Sequence, residues 1–153
     1  QMIQSLMDFL APELAQAGIT LVLDLDRGKD SIAMDERYLK QAVLNMVKNS
    51  IHAMPEGGTL TVRTKTGKED VRMIIQDSGE GIPEENLEKV FEPYFTTKSF
   101  GSGLGLTLVF KIIKEHGGDI QIASQVGVGT TITVIFPLPR REPALLAFEG
   151  DLA

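Results

Sequence analysis

The spacing of apolar residues changes several times along the chain, and each change marks an element. Ile3, Leu6, Met7, Leu10, Leu14 and Ala17 recur at three and four positions, the period of one buried helical stripe. Gly18 is placed to stop this helix, and Pro12 to bend or restart it. Ile19 to Leu25, ITLVLDL, is rich in branched residues and reads as a strand that exits through the polar stretch Asp26 to Ser31. Asp35 is placed to cap a long helix whose Leu39, Ala42, Val43, Met46, Val47, Ser50 and Ile51 share roughly one side, ended by Pro55 to Gly58.

Thr59 to Thr64 and Asp70 to Gln76 predict two strands joined through GKE as a hairpin, the second delivering Asp77 to a loop. A short helical turn is expected at Glu84 to Phe91. A longer helix is expected from Gly103 to His116 through Leu104, Leu108, Ile112 and Ile113, stopped by Gly117 and Gly118. Strands from Asp119 to Ser124 and Thr130 to Phe136 flank QVGVG. The alternation predicts an α/β two-layer sandwich, a mixed and mainly antiparallel sheet on one side and helices on the other. Chain order alone leaves the strand order open.

Composition narrows the chemistry. A chain of 153 residues is the size of one domain, and 42% apolar with 24% charged residues is the balance of a folded protein with a core. Lys plus Arg number 15 against 21 Asp plus Glu, a formal charge of -6, which argues against a basic groove for nucleic acid; any anion must be held locally. Without cysteine there are no disulfides, thiol nucleophiles or cysteine zinc sites, and two histidines, at 52 and 116, make no conventional ligand cluster. No apolar run reaches 18 residues, and Asp8 and Glu13 interrupt the first helix, so neither a spanning helix nor an export signal is read and a cytoplasmic location is expected.

Three clusters point to a phosphate-bearing ligand. GSGLGL, residues 101 to 106, opens a helix, where four backbone N–H groups lack intrahelical partners and can converge on an anion; its glycines could equally serve turns alone. DSGEGI, residues 77 to 82, sets a carboxylate beyond a strand, able to accept a proton from an exocyclic amine or to form an Asx turn. Asn45 and Asn49 project from one helix face with Lys48 beside them, an arrangement suited to Mg²⁺ and phosphate or to a structural hydrogen-bonded pair.

Taken together, these clusters resemble the ATP-binding catalytic domain of two-component sensor histidine kinases, in the wider family with gyrase, the heat-shock protein of ninety kilodaltons and mismatch-repair ATPases. QAVLNMVKNSIHAMPEGG resembles the asparagine box, DSGEGIP the first glycine box and FEPYFTTK the phenylalanine box. GSGLGLTLVFKIIKEHGG resembles the second glycine box and VGVGTTITVIFP the closing GxGT element. They follow the family's order within residues 1–139, leaving 140–153 as a C-terminal tail in which ALLAF is apolar.

The resemblance implies a Bergerat-type fold binding ATP and Mg²⁺. It assigns Asn49 to the metal, Asn45 to the same polyphosphate site and Lys48 to the phosphates. Asp77 would take the adenine amino group, with Gly79, Gly81 and Ile82 around the base. Tyr94 would pack under a compact ATP lid containing Thr96, Thr97 and Lys98, the last reaching phosphate. Gly101, Ser102, Gly103, Leu104, Gly105 and Leu106 would form the phosphate-facing helix entrance, and Thr130 would close the adenine side.

In the ATPase branches a glutamate four residues before the metal asparagine activates water; here that position is Asn45, whose amide cannot accept a proton as a carboxylate can. Transfer to an external nucleophile is therefore expected, by Asn45, Lys48 and Lys98, onto a histidine of an upstream dimerisation domain, with a response regulator as the next partner and a homodimeric full-length protein. His52 and His116 fall inside the nucleotide domain and read as structural or surface residues. The chain alone is expected to bind ATP without autophosphorylating. Two alternatives share its binding residues, a nucleotide-dependent interaction module and a self-contained ATPase.

Overall fold

The computed structural model describes residues 2–26, 35–92 and 105–138. Helix α1 (Met2–Gln16) runs unbroken through Pro12, which stands on its exposed side, where the carbonyl left without a donor can be solvated. Met7, Leu10 and Leu14 form the buried stripe. Strand β1 (Ile19–Asp24) follows, then α2 (Glu36–Ala53), β2 (Gly58–Thr66) and β3 (Asp70–Asp77). The short α3 (Glu84–Leu87) precedes α4 (Gly105–Glu115), β4 (Asp119–Gln125) and β5 (Gly129–Pro137).

The five strands form one sheet in the order β1-β2-β3-β5-β4. β1 and β2 run parallel, Leu21 opposite Leu60 and Leu23 opposite Val62, because α2 carries the chain back between them as a crossover. All the other pairs are antiparallel. β5 inserts between β3 and β4, so the last strand lies at the sheet's centre beside the strand that ends in Asp77.

Successive side chains of a strand alternate between faces, so the register determines which residues share the covered face. One inward row crosses the sheet as Val62, Ile75, Ile132 and Ile122; the next, toward one end, is Leu60, Asp77, Thr130 and Ser124. The covered face thus passes within one row from wholly apolar to polar over β3, β5 and β4. Helix α2 presents Val43, Met46 and Val47 to this face and α4 presents Val109, Ile112 and Ile113, all within the buried core.

Asp35 caps α2: its carboxylate accepts the Arg37 backbone N–H at 3.0 Å and pairs with the Arg37 guanidinium at 3.0 Å. The bond from the Arg37 side chain, reinforced by that from its backbone, holds the Asp35 carboxyl below the usual carboxylate range. A depressed folded-state pKa means that the stabilisation is complete above the unfolded value and lost as pH falls through the folded one.

Two outcomes follow from these contacts. Asp35→Asn should lower the thermal midpoint at pH 7, and the gap to the wild type should close as pH drops below about 3.9, measured by circular dichroism across pH. Ile75→Ala, at a position 2% exposed in the inward row, should lower the unfolding free energy in urea by about 2–5 kcal/mol, whereas Phe9→Ala, 77% exposed, should change it by no more than about 0.5 kcal/mol.

Candidate functional site

A cleft of about 130 Å³ opens between α2, the segment after β3, and the polar end of the inward sheet face. One wall is the α2 face carrying Met46, Asn49, Ser50 and Ala53, positions three and four apart. The floor is Ile122 and Ile132, with Asp77 and Thr130 one row farther along the sheet. Glu80 to Pro83 border the third side, and Val90 and Leu106 close the cleft from the segments around α3 and α4.

Asp77 is 8% exposed and organises this end of the cleft. Its Oδ1 accepts the Gly79 N–H at 2.9 Å, closing an Asx turn, and the Thr130 N–H at 3.2 Å from β5. Both structural bonds therefore fall on one oxygen. Oδ2 has no hydrogen-bond partner among the described residues, yet no buried side-chain oxygen or nitrogen is sealed from solvent without one. The Asx turn and the amine-accepting role, alternatives on the sequence, are compatible in the fold because a carboxylate has two oxygens.

The loop after Asp77 is tied on three sides. Glu80 N–H donates to the Ala53 carbonyl at the end of α2, Gly127 N–H in the β4–β5 turn to the Glu80 carbonyl, and Ile82 N–H to Ser124 Oγ at 2.8 Å. Two glycines make the close approach feasible. Gly81 has φ +77°, and a Cβ there would collide with the Gln125 carbonyl. Gly129 has φ +146°, and a Cβ there would collide with the Asp77 carbonyl. Gly79, expected beside a base, is packed against Ala53 of α2, where a Cβ would come within 2.6 Å of the carbonyl oxygen. The space its missing side chain leaves is taken by the protein itself.

Of the residues singled out from the sequence, the fold brings Asn49, Asp77, Gly81, Ile82, Leu106 and Thr130 onto the cleft. Asn45, one turn before Asn49 on α2, is half-buried and not on the cleft wall; Lys48 is solvent-exposed. Gly105, at the first turn of α4, faces Asn49, whose amide nitrogen would lie 3.7 Å from a Cβ built there. Tyr94, Thr96, Thr97, Lys98, Gly101, Ser102, Gly103 and Leu104 lie outside the described residues, as does the 140–153 tail.

Sequence reasoning missed Met46, Ser50 and Ala53 as wall residues, although continuing the face of Asn49 by three and four positions reaches them. It also missed Ser124, which accepts from Ile82 and donates to the Gly129 carbonyl at 2.9 Å, since nothing local marks that serine. Leu87 and Phe91 are half-buried and Val90 is 5% exposed, so these apolar residues pack into the fold. His52 is exposed and His116 Nδ1 lies 2.7 Å from the Ile112 carbonyl, a helix-end contact.

The donor set suits magnesium triphosphate. Among the described residues no group of three His, Cys, Asp or Glu side chains could hold a metal ion. A lone amide such as Asn49 suits Mg²⁺, which keeps several waters and takes oxygens from substrate phosphates. The start of α4 lies on the same side of the cleft, with Gly105 facing Asn49 and Leu106 on the lining.

Residues 34–140 match the family described as histidine kinase-, DNA gyrase B-, and HSP90-like ATPase. The chain is 40% identical over 104 residues to sporulation kinase C of Bacillus subtilis, covering 68% of this chain and 24% of that protein. It is 41% identical over 114 residues to the sensor histidine kinase ZraS of Escherichia coli, covering 73% and 24%. The nucleotide-free catalytic domain of the histidine kinase ThkA superposes with a TM-score of 0.80 at 30% identity, covering 90% of each chain. ThkA in complex with the response regulator protein TrrA superposes with a TM-score of 0.76 at 28% identity, covering 90% of this chain and 40% of that one. The chain spans about a quarter of the length of the curated relatives it matches.

Gly129→Ala should reduce stability by about 1–3 kcal/mol, because it forces both an unfavourable φ and a collision with the strand that ends in Asp77. Gly127→Ala, at φ +81° with open space around it, should show only the backbone penalty and so the smaller loss in urea denaturation.

Proposed function

We propose that this chain, which belongs to the histidine kinase-, DNA gyrase B- and HSP90-like ATPase family as a sensor histidine kinase catalytic domain, binds Mg-ATP in the cleft and presents its γ-phosphate to a histidine on a separate dimerisation domain. The observation that carries this reading is the division of labour in Asp77. One oxygen is held by two backbone N–H groups, and the other is left to accept a hydrogen bond in a cleft with an apolar floor. An adenine ring matches that combination, flat and apolar on its faces with an amino group at its edge.

In this reading Asp77 Oδ2 accepts from the adenine amino group, and Ile82, Leu106, Ile122 and Ile132 exclude water from the ring. Asn49 gives its amide oxygen to Mg²⁺, which when bound neutralises charge on the phosphate oxygens. Asn45 and Lys48 flank the polyphosphate from α2, and the α4 entrance from Gly101 to Leu106 supplies backbone donors. Tyr94, Thr96, Thr97 and Lys98 belong to the lid side, with Lys98 reaching phosphate, and Gly79 and Gly81 shape the loop under the base. The incoming imidazole nitrogen forms the new P–N bond as the β–γ bridging P–O bond breaks and ADP leaves. Asn45 provides no carboxylate to activate water, which favours transfer over hydrolysis.

The dimerisation domain and a homodimeric kinase are proposals, since the chain spans about a quarter of the length of the curated relatives it matches. A response regulator as the onward acceptor is supported by the ThkA complex. Among the described residues no helix is long and apolar enough to cross a membrane. A cytoplasmic placement follows for a domain that draws on cellular ATP.

Titration with Mg-ATP should show binding that Asp77→Asn weakens about 10- to 100-fold, the loss of a hydrogen bond to a charged group, while the amide oxygen retains the Gly79 and Thr130 contacts and the fold. With γ-labelled ATP the chain alone should stay unlabelled, and added histidine-bearing dimerisation domain should acquire acid-labile label. ATP turnover that depends on Asn45, without transfer to that domain, would favour the ATPase alternative.

A further inference from the structure

The start of α4 is fastened to the segment after α3 by a directed bond and a ring contact. Thr107 Oγ1 donates to the Phe91 carbonyl at 2.9 Å in a half-buried position, and a carbonyl can only accept, so the direction of the bond is settled. The Phe91 ring lies 5.4 Å from that of Phe110, which follows Thr107 by three positions on the same side of the helix. Threonine is a poor helix former, and inside a helix its hydroxyl ordinarily returns to the carbonyl one turn earlier. Here the proton goes to a carbonyl 16 positions back in the chain.

The residues flanking this bond belong to the cleft. Val90, next to Phe91, and Leu106, next to Thr107, both line it, and Gly105 faces the Asn49 amide. Farther along, Val109, Ile112 and Ile113 seat α4 in the core. Apolar packing is non-directional and defines the advance of the first turn less sharply than a hydrogen bond does. The opposite end of the cleft has ties of its own, from Asp77 to Gly79 and Thr130 and from Ile82 to Ser124, none of which passes through α4.

The geometry points to Thr107 as a positioning residue, whose bond to Phe91 sets where the first turn of α4 stands against Asn49. It thereby fixes the spacing of the two walls between which the phosphates and their metal ion are held. This inference rests on the Mg-ATP reading of the cleft. Thr107 is not itself on the lining and acts through Gly105. A shift of the first turn is costly for metal and phosphate contacts, which depend on fixed distances, and slight for the apolar contact of Leu106. Loss of the bond is therefore felt at the phosphates and not at the base.

Thr107→Val removes the donor while keeping the shape and a similar helix propensity, and Thr107→Ser keeps the donor. Dissociation constants of the full 153-residue chain for Mg-ATP and for adenosine would be compared among the wild type and both variants. NMR shift titration reads weak as well as tight binding, and the dispersion of the amide spectrum reports the fold. The expected result is an affinity for Mg-ATP lower by about 5- to 10-fold in Thr107→Val, the usual contribution of one neutral hydrogen bond. Adenosine binding should change by less than about 2-fold in either variant, and Thr107→Ser should bind Mg-ATP within about 2-fold of the wild type. Unchanged Mg-ATP binding by Thr107→Val, an equal loss for adenosine, or a Thr107→Ser chain as weak as Thr107→Val would overturn the Thr107 assignment and leave the Mg-ATP reading standing. A Thr107→Val chain that no longer folds would make the bond a requirement of folding and overturn the assignment too. Failure of the wild type to bind Mg-ATP would overturn both.

Discussion

The two hydrogen bonds that converge on Asp77 Oδ1 hold the site together. One closes the turn through Gly79, and the other reaches Thr130 across the pairing of β3 with β5. Strand end, loop start and neighbouring strand are thus joined by a single atom in a place only 8% exposed. The carboxylate is anchored by its own structural work, and its second oxygen is oriented without any further side chain. Gly129 is the steric condition for this arrangement, since only a residue without Cβ lets β5 begin against the Asp77 carbonyl.

From that anchor the remaining parts of the cleft follow by contact. The loop after Asp77 is fastened to the end of α2 and to the β4–β5 turn, so its main chain is a wall rather than a free segment. Helix α2 serves the core with Val43, Met46 and Val47 and the cleft with Asn49, Ser50 and Ala53, which makes the position of the polar groups depend on core packing. Asn49 and the first turn of α4 meet at Gly105, the junction to which the proposed Mg-ATP reading assigns the metal-bound phosphates. A net charge of -6 is compatible with an anionic ligand, because backbone donors and a divalent cation act at short range.

Much of the fold was legible in the sequence because its elements announce themselves locally. The α1 stripe, the Asp35 cap, the β2–β3 hairpin and the β4–β5 pair are each specified by residues close together in the chain. The strand order was not legible, since nothing near β5 says that it will lie between β3 and β4. At the site, Asp77, Gly81 and Thr130 were found from motifs. Ser124 was not, because its role comes from facing Ile82 and Gly129, and Ser50 was noticed only as one of the apolar-side positions of its helix.

The sequence by itself determined the class of the protein, through element periods and the ordered boxes from the asparagine helix to the closing glycine and threonine. It also determined which chemistry was absent, since no cysteine can be supplied by folding. The tertiary structure alone decided that Asp77 closes the Asx turn through one oxygen and leaves the other without a partner among the described residues. It decided as well that Gly79 packs against the end of α2, and that Ser124 joins the loop after Asp77 to the start of β5. The physical reason is the same in each case: a hydrogen bond or a steric contact is a relation between residues distant in the chain, and only the register of the sheet and the packing of α2 against it bring those partners within reach.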